Sequence, residues 1–310
     1  MSVLRDWLFG TEAIEAVQRL FGLGHPLPFR VFSLLGDTWG MILVVGLGFW
    51  LFGRRTLYAL VSVVVAGAAA KLLLSSLFGT ARPEGPEIVV YEQLQVSSFP
   101  SGHVFAAVGP WGLLYALGCV PLWAPVLVAL LVGLGRMYLG VHFLADVLAG
   151  FAFGALFVWL FARLWPAARR WLERWGWAFY LALSALVVVG TLGWMIAVGG
   201  NPRRYEIFGM AIAAALGLPL ERRWLRYRPA LASGAARAGA ALVGLFGVAA
   251  LLLLDRGQGE QALLLGTLSA GAATLWAVLG APALFVLLGL GGREAPAGTQ
   301  PAAPPAARRA

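Results

Sequence analysis

The sequence predicts an all-α fold, a polytopic bundle of about eight or nine transmembrane helices. Three observations carry that expectation. The 310 residues are 60% hydrophobic, with a mean hydropathy of +0.82. Only 12% are charged, about half the fraction usual in soluble domains. The apolar residues are gathered into repeated runs of about 20, the length a helix needs to cross a bilayer core. The runs are continuous rather than alternating, which argues against a β-barrel.

Taken in order, residues 12–22 mix charged and apolar positions with helical period, and Ile14, Val17, Leu20 and Phe21 share one face. Two placements fit this helix, along the membrane interface or packed on the bundle. Residues 1–30 form an N-terminal segment around it. Asp6, Glu12, Glu15 and Arg19 interrupt any apolar core there, so the segment does not read as a cleavable signal, and the first spanning helix serves for insertion. Apolar runs follow at approximately 31–52, 56–78, 104–120, 122–140, 143–164, 178–198, 206–220, 231–255 and 262–290. Gly and Ala at helical spacing in the last two fit packing surfaces. Residues 293–310, rich in Ala and Pro, read as a disordered tail.

The net charge of +9 does not point to nucleic acid. The basic residues sit in short loops beside apolar runs, the pattern of cytoplasmic loops. Arg54-Arg55, then Arg163, Arg169, Arg170 and Arg174, then Arg222, Arg223, Arg226 and Arg228, and finally Arg308-Arg309 fall on one side if nine runs cross. Arg203-Arg204 is the exception. The loop 79–103, with Glu84, Glu87 and Glu92, then faces outward from the plasma membrane. The single cysteine, Cys119, allows neither a disulfide framework nor a cysteine zinc site.

The chemistry lies in three short stretches at the ends of apolar runs. His142 and Asp146 are four apart at the start of a helix and share a face. A carboxylate on one imidazole nitrogen leaves the other to attack an electrophile such as phosphorus. Keeping such a pair in an apolar segment is costly; taken alone, it fits a functional pair and a structural hydrogen-bonded pair near a helix end equally. Arg136, six residues earlier, has the fork geometry to clamp phosphoryl oxygens, although taken alone it fits an arginine snorkelling to the interface better. Pro100-Ser101-Gly102-His103 opens another helix, where N–H groups bind anions. Ser101 adds a hydroxyl, and His103 stands where it could protonate a leaving oxygen. Arg82-Pro83 offers a second cationic clamp. Asp37-Thr38, in the outer part of the first run, fits either a cavity wall or a helix cap.

Order and spacing together resemble the type 2 phosphatidate phosphatase family, in the superfamily shared with vanadium haloperoxidases. Its pattern is Lys, six residues, Arg-Pro; then Pro-Ser-Gly-His; then Ser-Arg, five residues, His, three residues, Asp. The resemblance covers residues 12–164, with the core at 31–164; the helices of 165–292 carry no recognised motif. It implies an acid phosphatase/haloperoxidase-like core and a hydrolase for lipid phosphates of the undecaprenyl diphosphate, phosphatidylglycerol phosphate or phosphatidate class. It implies His142 as the phosphohistidine-forming nucleophile, Asp146 as its orienting carboxylate and His103 as general acid. Arg82, Arg136, Ser101 and Gly102 would hold the phosphate, with no metal or cofactor. Two positions depart from the pattern. Gly135 replaces the serine before Arg136, and Ser75 stands where the lysine belongs. The chain's sole lysine is Lys71, one turn or about 5.4 Å earlier. If Lys71 reaches the site, an active phosphatase is expected. If it does not, a weak or inactive homologue that binds or moves a phospholipid or polyprenyl phosphate is the alternative.

Overall fold

The apolar runs fold as helices in the computed structural model, which describes residues 2–78, 80–94, 97–175, 177–198, 202–229, 234–254 and 260–294. Two short helices, α1 (Ser2–Phe9) and α2 (Glu12–Phe21), precede α3 (Pro26–Leu34) and α4 (Thr38–Phe52). Pro26 opens α3, where its missing N–H leaves no bond unmade. Asp37 caps α4, its side chain accepting from the Thr38 N–H at 2.9 Å. The axes of α3 and α4 bend by 53° across this turn. Four helices follow: α5 (Arg54–Leu77), α6 (Gly102–Ala116), α7 (Trp123–Tyr138) and α8 (Leu144–Glu173). Beyond them lie α9 (Trp177–Val198), α10 (Pro202–Leu220), α11 (Gly234–Leu254), α12 (Glu260–Leu275) and α13 (Ala281–Leu287).

Helix α6 packs against α5, α7 and α8. Val104, Ala107 and Val108 meet Ala129 and Val132 of α7 and Val158 of α8. Nearer its far end, Leu113 and Leu114 join Val44, Leu60, Val63 and Trp165. Helix α4 is the seam of the molecule. It is apolar all round, as an enclosed helix must be. Its Trp39, Ile42, Phe49 and Trp50 pack against Ala270, Ala273, Ala277 and Phe285 of the C-terminal helices. Trp50 Nε1 donates to the Ala277 carbonyl at 2.8 Å, and the Tyr227 hydroxyl donates to the Trp50 carbonyl at 3.0 Å.

Length and composition support fewer crossings than the eight or nine runs suggested. Among the described residues four helices are long and apolar enough, Arg54–Leu77, Leu144–Trp171, Gly234–Leu253 and Leu264–Leu287, and α3 with α4 makes a fifth if the bent pair is one span. Helices α6 and α7 have 15 and 16 residues. That is about 24 Å at most, short of a bilayer core of about 30 Å.

The 24 residues of α5 separate the two ends of the bundle by about 36 Å. At its start Arg54 bonds the Glu221 carboxylate at 3.1 Å, Glu294 at 2.8 Å and the Arg222 carbonyl at 3.3 Å. The Tyr58 hydroxyl adds a 3.2 Å bond to Glu221, which is fully buried. Strands β1 (Tyr227–Pro229) and β2 (Gly291–Arg293) pair antiparallel beside this network. Arg293 and Glu294, which composition assigned to the tail, therefore belong to the fold, tied down by backbone pairing and an ion pair. Residues 295–310, including Arg308-Arg309, and the side chains of Arg203 and Arg204 lie outside the described residues.

Candidate active site

At the other end of the bundle the end of α5, the starts of α6 and α8 and the end of α7 come together. Helix α7 closes in a Schellman turn. The Val141 N–H bonds the Arg136 carbonyl at 3.2 Å, and the Gly140 N–H bonds that of Met137 at 2.9 Å. Gly140 has φ +71°, the left-handed conformation this cap requires. The turn reverses the chain and delivers His142 to the start of α8, so the Arg-x5-His spacing is the length of one helix cap. Asp146 sits in the first turn of α8, where the helix dipole favours a carboxylate. Its Oδ2 accepts from the Phe143 N–H at 2.9 Å and lies 3.3 Å from His142 Nδ1. Ser98 Oγ donates to the same oxygen and stands 3.4 Å from Nδ1.

His142 is 2% exposed. Burial, aided by the Arg136 and Arg82 guanidinium groups and opposed by Asp146, pushes its imidazole down to about 4. The ring is therefore neutral at ordinary pH. Nδ1 faces the carboxylate, and a neutral ring that is hydrogen-bonded through Nδ1–H carries its lone pair on Nε2.

Arg136 is fully buried, its Nη1 donating to Ser33 Oγ at 2.7 Å and to Glu92 Oε2 at 3.1 Å. Gly135 explains the Ser33 contact. A Cβ there would lie 2.7 Å from the Phe29 carbonyl oxygen and 3.4 Å from Ser33 N. The missing side chain lets α3 close on α7 and puts a hydroxyl from another helix beside the arginine. Arg82 ties two motif segments together, donating to the carbonyls of Val141 at 2.7 Å and Ser97 at 3.3 Å.

Ser101 precedes α6, and its N–H bonds the Asp146 carbonyl at 2.9 Å. Its side chain is fully buried, and among the described residues Oγ has no hydrogen-bond partner. A buried unsatisfied hydroxyl costs about 1–3 kcal/mol, which an oxyanion at this helix start would relieve. A Cβ on Gly102 would stand 2.3 Å from Lys71 Cε and 2.7 Å from Nζ. The tip of Lys71 thus lies over the first residue of α6, in space that only glycine leaves open. His103, next in the chain, has Nε2 3.7 Å from Asp37 Oδ2.

Direct contacts and the field at His142 join Asp146, Arg82 and Arg136 to His142, the Ser101 N–H joins the start of α6 to Asp146, Lys71 lies against Gly102, and His103 follows Gly102 in the chain. Ser98, Ser33 and the pairing of Glu92 with Arg136 were not anticipated. Ser33 had a faint signal, a hydroxyl inside an apolar run. Ser98 had none, because its bond to Asp146 spans 48 residues. Among the described residues no three His, Cys, Asp or Glu side chains gather as metal ligands.

A family model described as PAP2 superfamily matches residues 55–171. A second, described as PAP2 superfamily phosphatase, transmembrane extension, matches residues 205–293. Phosphatidylglycerophosphatase B of Bacillus subtilis is 32% identical over 133 residues, 39% of this chain and 64% of that protein. Sphingosine-1-phosphate phosphatase 1 of Mus musculus is 24% identical over 216 residues, 62% of this chain and 48% of that protein. The chain thus spans from about half to just under two thirds of the length of these relatives. No solved structure matches it. With the motif-bearing helices matched by one model and the C-terminal helices by the other, the chain belongs to the PAP2 superfamily and carries its transmembrane extension.

Proposed function

We propose that this protein is an integral-membrane, metal-independent phosphatase that hydrolyses a lipid phosphate through a phosphohistidine on His142. The observation that carries the reading is a buried imidazole whose Nδ1 lies 3.3 Å from Asp146 Oδ2, in the field of two guanidinium groups. In this reading Nε2 attacks phosphorus, and Arg82, Arg136, Lys71, Ser101 and the α6 N–H groups at Gly102 stabilise the equatorial oxygens. His103 protonates the departing oxygen and then activates water.

Residues 31–164 act as the phosphatase core, residues 165–292 as added helices, and 1–30 as a segment packed across the outer loop. The site and the basic network around Arg54 and Arg222 occupy opposite ends of α5, which supports a non-cytoplasmic site under the positive-inside rule. A lipid tail would then stay in the bilayer while its head enters between the helices, at the plasma membrane. The names of both relatives describe phosphatases of phosphorylated lipids, which supports that substrate class. Undecaprenyl diphosphate, phosphatidylglycerol phosphate and phosphatidate are the candidates.

A second reading, a homologue that binds or moves a phospholipid or polyprenyl phosphate without cleaving it, is favoured by one observation. Glu92 holds Arg136, so an incoming phosphate must compete with a carboxylate. Phosphate release from the three lipids in detergent micelles with chelator present separates the readings. The phosphatase reading expects release by wild type and a loss of at least about 10³-fold in His142→Ala, as for removal of a nucleophile. Lipid binding that survives His142→Ala, with no release by wild type, would establish the second reading instead.

A further inference from the structure

His103 opens α6 with a carboxylate beside it. Its Nε2 lies 3.7 Å from Asp37 Oδ2, both side chains being largely buried. The backbone holds the two residues together. A Cβ on Gly36 would lie 2.4 Å from the His103 carbonyl oxygen, so the turn between α3 and α4 is seated directly on this residue. The other oxygen of Asp37, Oδ1, accepts from the Thr38 N–H at 2.9 Å. Capping α4 therefore fixes the direction of the oxygen that faces the imidazole.

The surrounding charges make that oxygen matter. The charged groups of the candidate site on the neighbouring elements include Lys71 of α5, Arg82 and Glu92 of the α5–α6 connection, Arg136 of α7, the His142–Asp146 pair, and Asp37. Lys71, Arg82 and Arg136 all disfavour a second cation. Asp146 is engaged by Ser98, His142 and the Phe143 N–H, and Glu92 is engaged by Arg136. Asp37 faces His103, with Oδ2 3.7 Å from Nε2.

We propose that Asp37 keeps His103 protonated, as the acid that hands its proton to the departing lipid oxygen. The inference rests on the phosphatase reading. In the first step the lone pair of His142 Nε2 forms the N–P bond. The P–O bond to the lipid breaks, its electron pair stays on oxygen, and the His103 proton joins that oxygen. In the second step His103 takes a proton from water as the water oxygen bonds phosphorus, and the N–P electron pair returns to His142. Asp37 touches no reacting atom and acts through His103 as a positioning residue.

Asp37→Asn separates this role from capping, because asparagine caps helices as well as aspartate does while carrying no charge. General-acid assistance matters most when the leaving oxygen is strongly basic. The experiment compares kcat/KM across pH for phosphatidate or phosphatidylglycerol phosphate, which release an alkoxide, and for 4-nitrophenyl phosphate, which releases a weakly basic phenolate. Asp37→Asn is expected to lose about tenfold or more on the lipid at neutral pH, part of the 10²–10⁴-fold general acids supply. Its loss on the aryl phosphate should be within about twofold, because that leaving group needs little proton donation. Removing the carboxylate also favours the neutral imidazole, so the basic limb of the lipid profile moves to lower pH.

The ratio of the two substrates within one preparation is independent of its active fraction. Asp37→Ser, which caps with a hydroxyl, is expected to shift the ratio in the same direction and replaces the asparagine variant if that does not accumulate. Equal losses on both substrates, or an unmoved basic limb, overturn the proposal. A wild type that cleaves neither substrate overturns the phosphatase reading and this inference with it.

Discussion

At His142 burial and two arginines pull the imidazole toward neutrality, and Asp146 pulls the other way without prevailing. A histidine in an unfolded chain takes its proton near 6.5, whereas this one takes it only near 4. Protonation therefore favours the unfolded chain, and the stabilising effect of the neutral ring, complete above about 6.5, is lost as pH falls through that window. For activity the same sign means that the nucleophile stays competent in mild acid. The acidic limb of kcat/KM for the free enzyme should lie well below 6.5, and a limb between 6 and 7, read from a pH–rate profile with a lipid monoester, would contradict it. The pairing of His142 with Asp146 was legible in the sequence because four residues is a helical repeat. The reach of Lys71 was not, because backbone register places a Cα while a four-carbon side chain decides where the charge goes. Asp37 was legible as a cap or a cavity wall, and it caps α4 with its other oxygen toward His103.

Among the elements, the contact of α3 with α7 sets how Arg136 is held. Gly135 looked like the mild loss of a family serine. In the fold it is the gap through which α3 approaches, and Ser33 supplies a hydroxyl to Arg136. Restoring the family residue as Gly135→Ser should therefore harm the protein. Its Cβ meets backbone at 2.7 Å, and overpacking of this kind costs about 1–3 kcal/mol. A lower unfolding temperature in detergent with reduced phosphate release is the expected result, and a gain in both would show that α3 is not committed to this position. Helix α2 answers its two placements by edge. Ile14 and Gln18 are buried while Leu20 and Phe21 are exposed. Gln18 bonds the Val89 carbonyl at 2.7 Å and N–H at 2.9 Å and the Tyr138 carbonyl at 2.8 Å. That polar staple was invisible to a periodicity argument, which weighs only apolar positions.

In the whole molecule, the site and the charged network around Glu221 sit at opposite ends of α5, and α4 joins the core to the C-terminal helices. Arg54→Ala would leave Glu221 buried without its cation, a change worth about 3–5 kcal/mol. The unfolding temperature should fall markedly while the rate per folded molecule is kept, because the site lies a helix length away. An unchanged unfolding temperature would show that the network contributes nothing to docking. The helical class and the order of apolar runs were legible from composition. The number of crossings was not, since a run 15 to 20 residues long reads the same whether it traverses a bilayer or packs inside a bundle.

The central claim is a covalent bond between phosphorus and Nε2 of His142. Wild type mixed with a lipid phosphate, quenched in base to preserve an acid-labile phosphoramidate and mapped by mass spectrometry, tests it most directly. The account predicts a phosphoryl group on His142 that is absent from His142→Ala. A phosphoryl group on any other residue, or phosphate release by His142→Ala at the wild-type rate, would contradict it.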